Sequence, residues 1–224
     1  MTKKNKSEQL YGIIGLGRFG FALAQELALA GKDIIVLDKD EEKVKAAASF
    51  TDNAFVIGSL TAENLRHAGI QNCDTVVICI GEKIDVSILT TLTVIRFGVP
   101  HVIAKAMSDE QGSVLETLGA EVVFPERNMA VRVAQKLLAP NVLEYISLSD
   151  EIDIIEIKLS ERINNKTVLE LDLRKKFGLN IIAVRKADNI IIEIEPTLML
   201  SATDTITVVG KKANIRRFEA YLSK

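Results

Sequence analysis

A chain of 224 residues, 48% hydrophobic with mean hydropathy +0.20, carries enough apolar surface for one large or two small packed domains, which excludes a disordered chain. Lys and Arg number 28 against 30 Asp and Glu, net −2, so no global basic field draws in a nucleic-acid polymer or an anionic lipid surface. Charged residues interrupt every apolar run before the roughly 18 to 20 residues a membrane span needs, and the basic start MTKKNKSEQL has no cleavable leader after it, so neither insertion nor export is expected. The two cysteines, Cys73 and Cys79, show no CxxC spacing and fit reduced thiols, with Cys79 in the core run TVVICI.

In chain order, strand-like runs occur at 10–14, 33–37, 53–57, 74–80, 101–105 and 121–124. Helical patterns begin between them near Arg18, Asp40, Thr61, Glu82, Asp109 and Glu126, several opened by Asp, Ser or Thr as caps. Continuously apolar strands separated by helices predict an α/β fold, a Rossmann-like, doubly wound parallel sheet covered on both faces. After Asn141 the pattern changes. An apolar run at 151–159, a short helix over 168–177, a strand at 179–186, a turn at Asp188 and Asn189, a strand at 190–194, the run DTITVVG and a final helix predict a second, smaller α+β domain, partly antiparallel. The domains are expected at 1–141 and 142–224, joined near Ala139, Pro140 and Asn141 without a Gly/Ser linker.

Gly15-Leu16-Gly17-Arg18-Phe19-Gly20 is a G-x-G-x-x-G motif directly after a strand and opening a helix. Gly15 serves the tight turn, Gly17 the approach of backbone to a pyrophosphate, and Gly20 the close packing of helix on strand. Asp38 ends the second strand eighteen residues beyond Gly20, where its carboxylate can accept hydrogen bonds from both ribose hydroxyls and would repel a 2′-phosphate. An NAD(H)-dependent oxidoreductase is one reading. It lacks a recognisable general acid, metal cluster or Tyr-x-x-x-Lys pair, and His67 and His101 have no orienting carboxylate nearby in sequence, so sensing is the stronger expectation.

The runs IIGLGRFG, VLDKDEEKV, VIGSLTAENLRHAGI, DTVVICIGEKIDVSILTTL and AKAMSDEQGSVLETLGAEVVFPERNMA, continued by LSDEIDIIEI, LDLRKKFG and GKKANIRRFEAYL, resemble the regulator-of-K⁺-conductance (RCK) proteins of the Ktr and Trk potassium uptake systems over nearly the whole chain. The resemblance is closest to the cytoplasmic gating subunits of Ktr systems. It implies an N-terminal domain binding ATP or ADP, an octameric ring, and docking of that ring beneath a KtrB-type membrane subunit. It further implies a pocket of Gly15, Leu16, Gly17, Arg18 and Phe19 at the phosphates and Asp38 at the ribose, with Gly58, Ser59, Ile80, Gly81 and Lys105 lining the rest. Arg18 would meet the γ-phosphate, and Glu126 would anchor Mg²⁺ or Ca²⁺ between the γ-phosphates of paired subunits. In the smaller domain, Val168, Arg174, Asn180, Ile181 and Pro196 match positions that take cyclic di-AMP, an inhibitory ligand in that family. An NAD(H)-responsive Trk-type sensor shares the same fold and Asp38.

Overall fold

The structure is a computed structural model that describes residues 9–138, 142–187 and 189–223. The expected join at Ala139, Pro140 and Asn141, the turn residue Asp188 and the basic start at 1–8 lie outside the described residues. The chain divides into two compact units between Arg127 and Asn128.

The first unit is built on strands β1 (Leu10–Ile14), β2 (Asp33–Asp38), β3 (Ala54–Val56), β4 (Thr75–Ile78), β5 (His101–Lys105) and β6 (Glu121–Val123). They alternate with helices α1 (Arg18–Leu29), α2 (Glu41–Ala47), α3 (Ala62–His67), α4 (Ile84–Arg96), α5 (Asp109–Leu118) and α6 (Pro125–Leu138), the last of which crosses the division. All strand pairings are parallel, in the order β3-β2-β1-β4-β5-β6. The order reverses between β1 and β4, which opens a crevice at their carboxyl ends.

Successive residues explain why the strands read as unbroken apolar runs. Ile13 faces one core with Val36, Val77, Ala24 and Val44, while Ile14 faces the other with Leu37, Ile78, Leu65, Val94 and Leu115. Helices cover both faces, so both side-chain directions are dry, and each fully buried aliphatic contributes about 1.5–3 kcal/mol. Three helices start at side-chain caps: Asp40, Thr61 and Ser108 accept from the amides of Glu42, Asn64 and Gln111.

The second unit contains β7 (Val142–Ser147), β8 (Ile152–Lys158), β9 (Lys166–Thr167), α7 (Val168–Leu171), α8 (Leu173–Phe177), β10 (Leu179–Lys186), β11 (Asn189–Ile191), β12 (Met199–Leu200), β13 (Thr205–Lys211) and α9 (Lys212–Leu222). Its sheet runs β11-β10-β13-β8-β7, antiparallel at every pairing, with β9 and β12 as a separate small pair. Ile155, Ile157, Leu179, Val184, Ile206, Val208 and Phe218 form its core, and Phe218 packs edge-on against Phe177 at 5.2 Å. The single helix expected over 168–177 is two helices. Asp172 stands at φ +44° between them, and its side chain caps the second by accepting from the Lys175 amide at 3.4 Å.

Candidate functional site

The glycine-rich turn is fastened at the reversal of strand order. The Gly15 amide donates to Leu37 O at 2.7 Å and the Cys79 amide to Ile14 O at 2.7 Å, so the turn leaves β1 between the ends of β2 and β4. Gly15 lies at φ +100°, where an L side chain is strained. Gly20 is required for another reason, since a Cβ there would sit 2.0 Å from Gly15 O and 3.0 Å from Cys79 Cβ. Helix α1 therefore starts hard against the turn. Its N-cap, Gly17, is exposed and supplies no side-chain cap, and no acidic residue stands in the first turn. The amides of Arg18, Phe19 and Gly20 have no intrahelical acceptor, and the helix dipole adds positive potential there.

Asp38 ends β2 beside this turn. Its Oδ2 accepts from the Leu16 amide at 2.5 Å and its Oδ1 from the Asp40 amide at 2.9 Å. The carboxylate expected at a ribose therefore also pins the glycine-rich turn, and each oxygen keeps further lone-pair capacity. Gly58 and Ser59 follow β3 and are exposed; Ser59 is held by Asn64 Nδ2, which donates to its carbonyl at 2.9 Å and its Oγ at 3.2 Å, and the Ile57 amide donates to Asp38 O at 2.8 Å.

Across the crevice, Ile80 and Gly81 follow β4, and Lys105 ends β5. A Cβ on Gly81 would lie 3.6 Å from Lys105 Nζ and 3.4 Å from Met107 Sδ, ordinary contact distances that place the ammonium beside the Gly81 backbone. Lys105 is 9% exposed, and its Nζ donates to Glu126 Oε1 at 2.5 Å. The hydrogen bond from Lys105 holds the Glu126 carboxyl below the usual carboxylate range, and the Arg18 guanidinium acts in the same direction. Thus Arg18, Lys105 and Glu126, scattered over more than a hundred residues, share one electrostatic site with the turn and Asp38. A cleft of about 150 Å³ lined by Met107, Ser108, Asp109, Phe124, Glu126 and Arg127 adjoins it.

Two chemistries can be tested against this site. A single carboxylate beside Lys105 and Arg18 is a poor cation site on its own, and among the described residues no group of three or more His, Cys, Asp or Glu side chains could hold a metal. Burial pushes the thiols of Cys73 and Cys79 up to about 12, which keeps both neutral near pH 7, with Lys105 opposing the shift at Cys79. Neither histidine has an orienting carboxylate nearby in sequence, but the fold gives His101 one from further along the chain, its Nε2 lying 2.8 Å from Glu121 Oε2. That pair stands at the starts of β5 and β6, at the amino ends of the strands, opposite the carboxyl ends where the crevice opens. Sequence reading missed it because parallel pairing, which joins Ile103 to Glu121, brings together residues that no local spacing relates.

The residues singled out in the smaller domain fall around the α7–β10 region. The Val168 amide donates to Leu198 O at 3.0 Å and the Leu169 amide to Pro196 O at 2.9 Å, which stitches the Pro196 turn onto the start of α7. Val168 and Ile181 are half-buried on the core, whereas Arg174, Asn180 and Pro196 are exposed.

Residues 11–126 match the TrkA-N domain and residues 154–223 the TrkA-C domain. The chain is 39% identical over 211 residues to Ktr system potassium uptake protein C of Bacillus subtilis (strain 168), covering 93% of this chain and 95% of that one. It is 38% identical over 218 residues to Ktr system potassium uptake protein A of the same organism, covering 96% of each. Among solved structures it superposes on the GsuK RCK domain with TM-score 0.51 at 21% identity, over 99% of this chain and 48% of that one. The TrkA-N domain of the inner membrane protein ybaL from Escherichia coli gives TM-score 0.52 at 20% identity, over 60% and 99%. At those identities the structural likeness concerns the fold alone. By the two domain matches and the full-length similarity, this chain belongs to the TrkA-N/TrkA-C family that includes the Ktr system potassium uptake proteins.

Proposed function

We propose that the chain is a non-enzymatic, nucleotide-sensing regulatory subunit of a potassium channel or transporter, binding ATP and ADP in the β1/β4 crevice. The observation that supports the reading is convergence: uncapped helix amides, the exposed Arg18, the Lys105 ammonium and Asp38 gather at the carboxyl ends of the central strands, where the first three would meet phosphates and Asp38 a ribose. Gly58 and Ser59 would border the adenosine end; Ile80 and Gly81 would border the phosphates. Two cationic side chains at the far end favour a terminal phosphate over the positively charged ring of NAD⁺. The similarity to Ktr system potassium uptake proteins supplies the process.

In this reading residues 1–141 form the nucleotide domain and 142–224 the ligand-binding and dimerisation domain. ATP and ADP can act differently only if they stabilise different conformations. Arg18 reaching the γ-phosphate would provide that difference. Mg²⁺ or Ca²⁺ would join at Glu126 only where phosphate oxygens complete its shell. Cyclic di-AMP would bind the smaller domain and inhibit, with Arg174 at a phosphate, Asn180 at a base edge, and Val168, Ile181 and Pro196 packing on the flat bases. The subunit would work in the cytoplasm as an octameric ring beneath a KtrB-type membrane partner. Among the described residues no helix is long and apolar enough to cross a membrane.

Calorimetric titration of ATP, ADP, NAD⁺, NADH and cyclic di-AMP on the purified chain tests the reading. ATP and ADP should bind more tightly than NAD⁺ or NADH, and cyclic di-AMP should bind independently of both. Tightest binding to NADH, with turnover of a second substrate, would instead establish the oxidoreductase.

A further inference from the structure

The Lys105–Glu126 pair occupies a group that the nucleotide needs. Lys105 is nearly buried at the end of β5, its ammonium lying over Gly81 on the far side of the crevice from the glycine turn. A charge in that position requires an anionic partner, and Glu126 supplies one at 2.5 Å. The two partners are not held alike. The Lys105 side chain is 11% exposed and enclosed, whereas that of Glu126 is 56% exposed in the first turn of a helix and can turn toward water at little cost. An ammonium has three protons and could touch both anions, but a phosphate placed on Lys105 would then stand within a few ångströms of the Glu126 carboxylate, and like charges at that distance repel.

We propose that Glu126 is an internal competitor for the phosphate site, holding Lys105 in the ligand-free chain and yielding it when a nucleotide phosphate enters. The inference rests on the nucleotide reading above. Phosphate replaces carboxylate on Lys105, and Glu126 becomes available only once the nucleotide is bound. The exchange also unties the end of β5 from the first turn of α6, the helix that carries the chain across the division between the two units.

The test is calorimetry in chelator, with ADP as ligand and adenosine as the phosphate-free control, on wild type, Glu126→Gln, Lys105→Met and the double variant. Glutamine preserves a neutral acceptor for Lys105, so the fold is retained, and thermal melting should show a ligand-free midpoint somewhat below wild type. Glu126→Gln should tighten ADP by about five- to tenfold, as expected when a charge-assisted hydrogen bond gives way to a neutral one of about half its strength. Adenosine affinity should stay unchanged. Lys105→Met should weaken ADP, and adding Glu126→Gln to it should bring no gain. If wild type binds ADP and Glu126→Gln binds it equally or more weakly, the competition is overturned while the nucleotide reading stands. A gain that persists on the Lys105→Met background overturns it too, because the effect would then be general charge removal. A wild type that binds no nucleotide overturns the proposed function, and this inference with it.

Discussion

Arg18 stands in the first turn of α1 with its side chain exposed, close enough for its charge to act on Glu126. A guanidinium so placed can grip two oxygens of one phosphate. Arg18→Ala should therefore weaken ATP more than ADP, by about 1.5–3 kcal/mol or roughly 10- to 150-fold, the range for a hydrogen bond to a charged group. Parallel titrations of both nucleotides check this, and equal losses would remove the γ-phosphate assignment. Asp38 should behave differently, because ribose is common to both ligands. Asp38→Ala should weaken ATP and ADP alike by about the same range. It should also weaken inorganic tripolyphosphate, since the Leu16 amide loses the acceptor that positions the glycine-rich turn. Tripolyphosphate binding equal to or tighter than wild type would confine Asp38 to the ribose.

At the scale of elements, the closest constraint is the passage from β1 into α1. Gly20→Ala puts a methyl group 2.0 Å from Gly15 O and 3.0 Å from Cys79 Cβ, so the closest clash is with backbone and no flexible side-chain end can move out of its way. Overpacking commonly costs about 1–3 kcal/mol, and this substitution belongs at or above that limit. Chemical denaturation should record it together with loss of ATP binding; a stable variant that binds normally would show that α1 can shift outward. In the smaller domain, α7 begins at a capping box in which Thr167 Oγ1 accepts from the Glu170 amide at 3.2 Å and Glu170 accepts from the Thr167 amide at 2.7 Å. Thr167→Ala should cost about 1 kcal/mol of stability, read as a lower denaturation midpoint at unchanged slope. Elements built on continuous apolar runs were legible from sequence almost to the residue, as β1, β5 and β10 illustrate. Strand β7 was not. Its pairing with β8 shifts register between Val142 and Glu144, and a shifted register interrupts the two-residue alternation by which a strand is read. The break at Asp172 was hidden for a different reason, because a single left-handed residue leaves the apolar spacing on either side intact.

For the whole molecule, a regulator acting on a membrane partner through a ring must assemble. Native mass spectrometry of the full chain should show an octamer, or its dimer and tetramer subassemblies, at micromolar concentration with ATP; a monomer under those conditions would count against the gating reading. The sequence by itself determined the doubly wound sheet, the glycine turn and Asp38. These depend on signals carried within one strand–turn–helix unit or on a periodicity that runs unbroken through an element. Only the tertiary structure decided that Lys105 and Glu126 are partners, that Asp38 holds the Leu16 amide, and that His101 has a carboxylate partner on the neighbouring strand. Each of those contacts joins residues at or just beyond the ends of neighbouring parallel strands, between which the chain makes a whole helical crossover. Sequence distance then carries no information about spatial distance, and the pairing of strands supplies it.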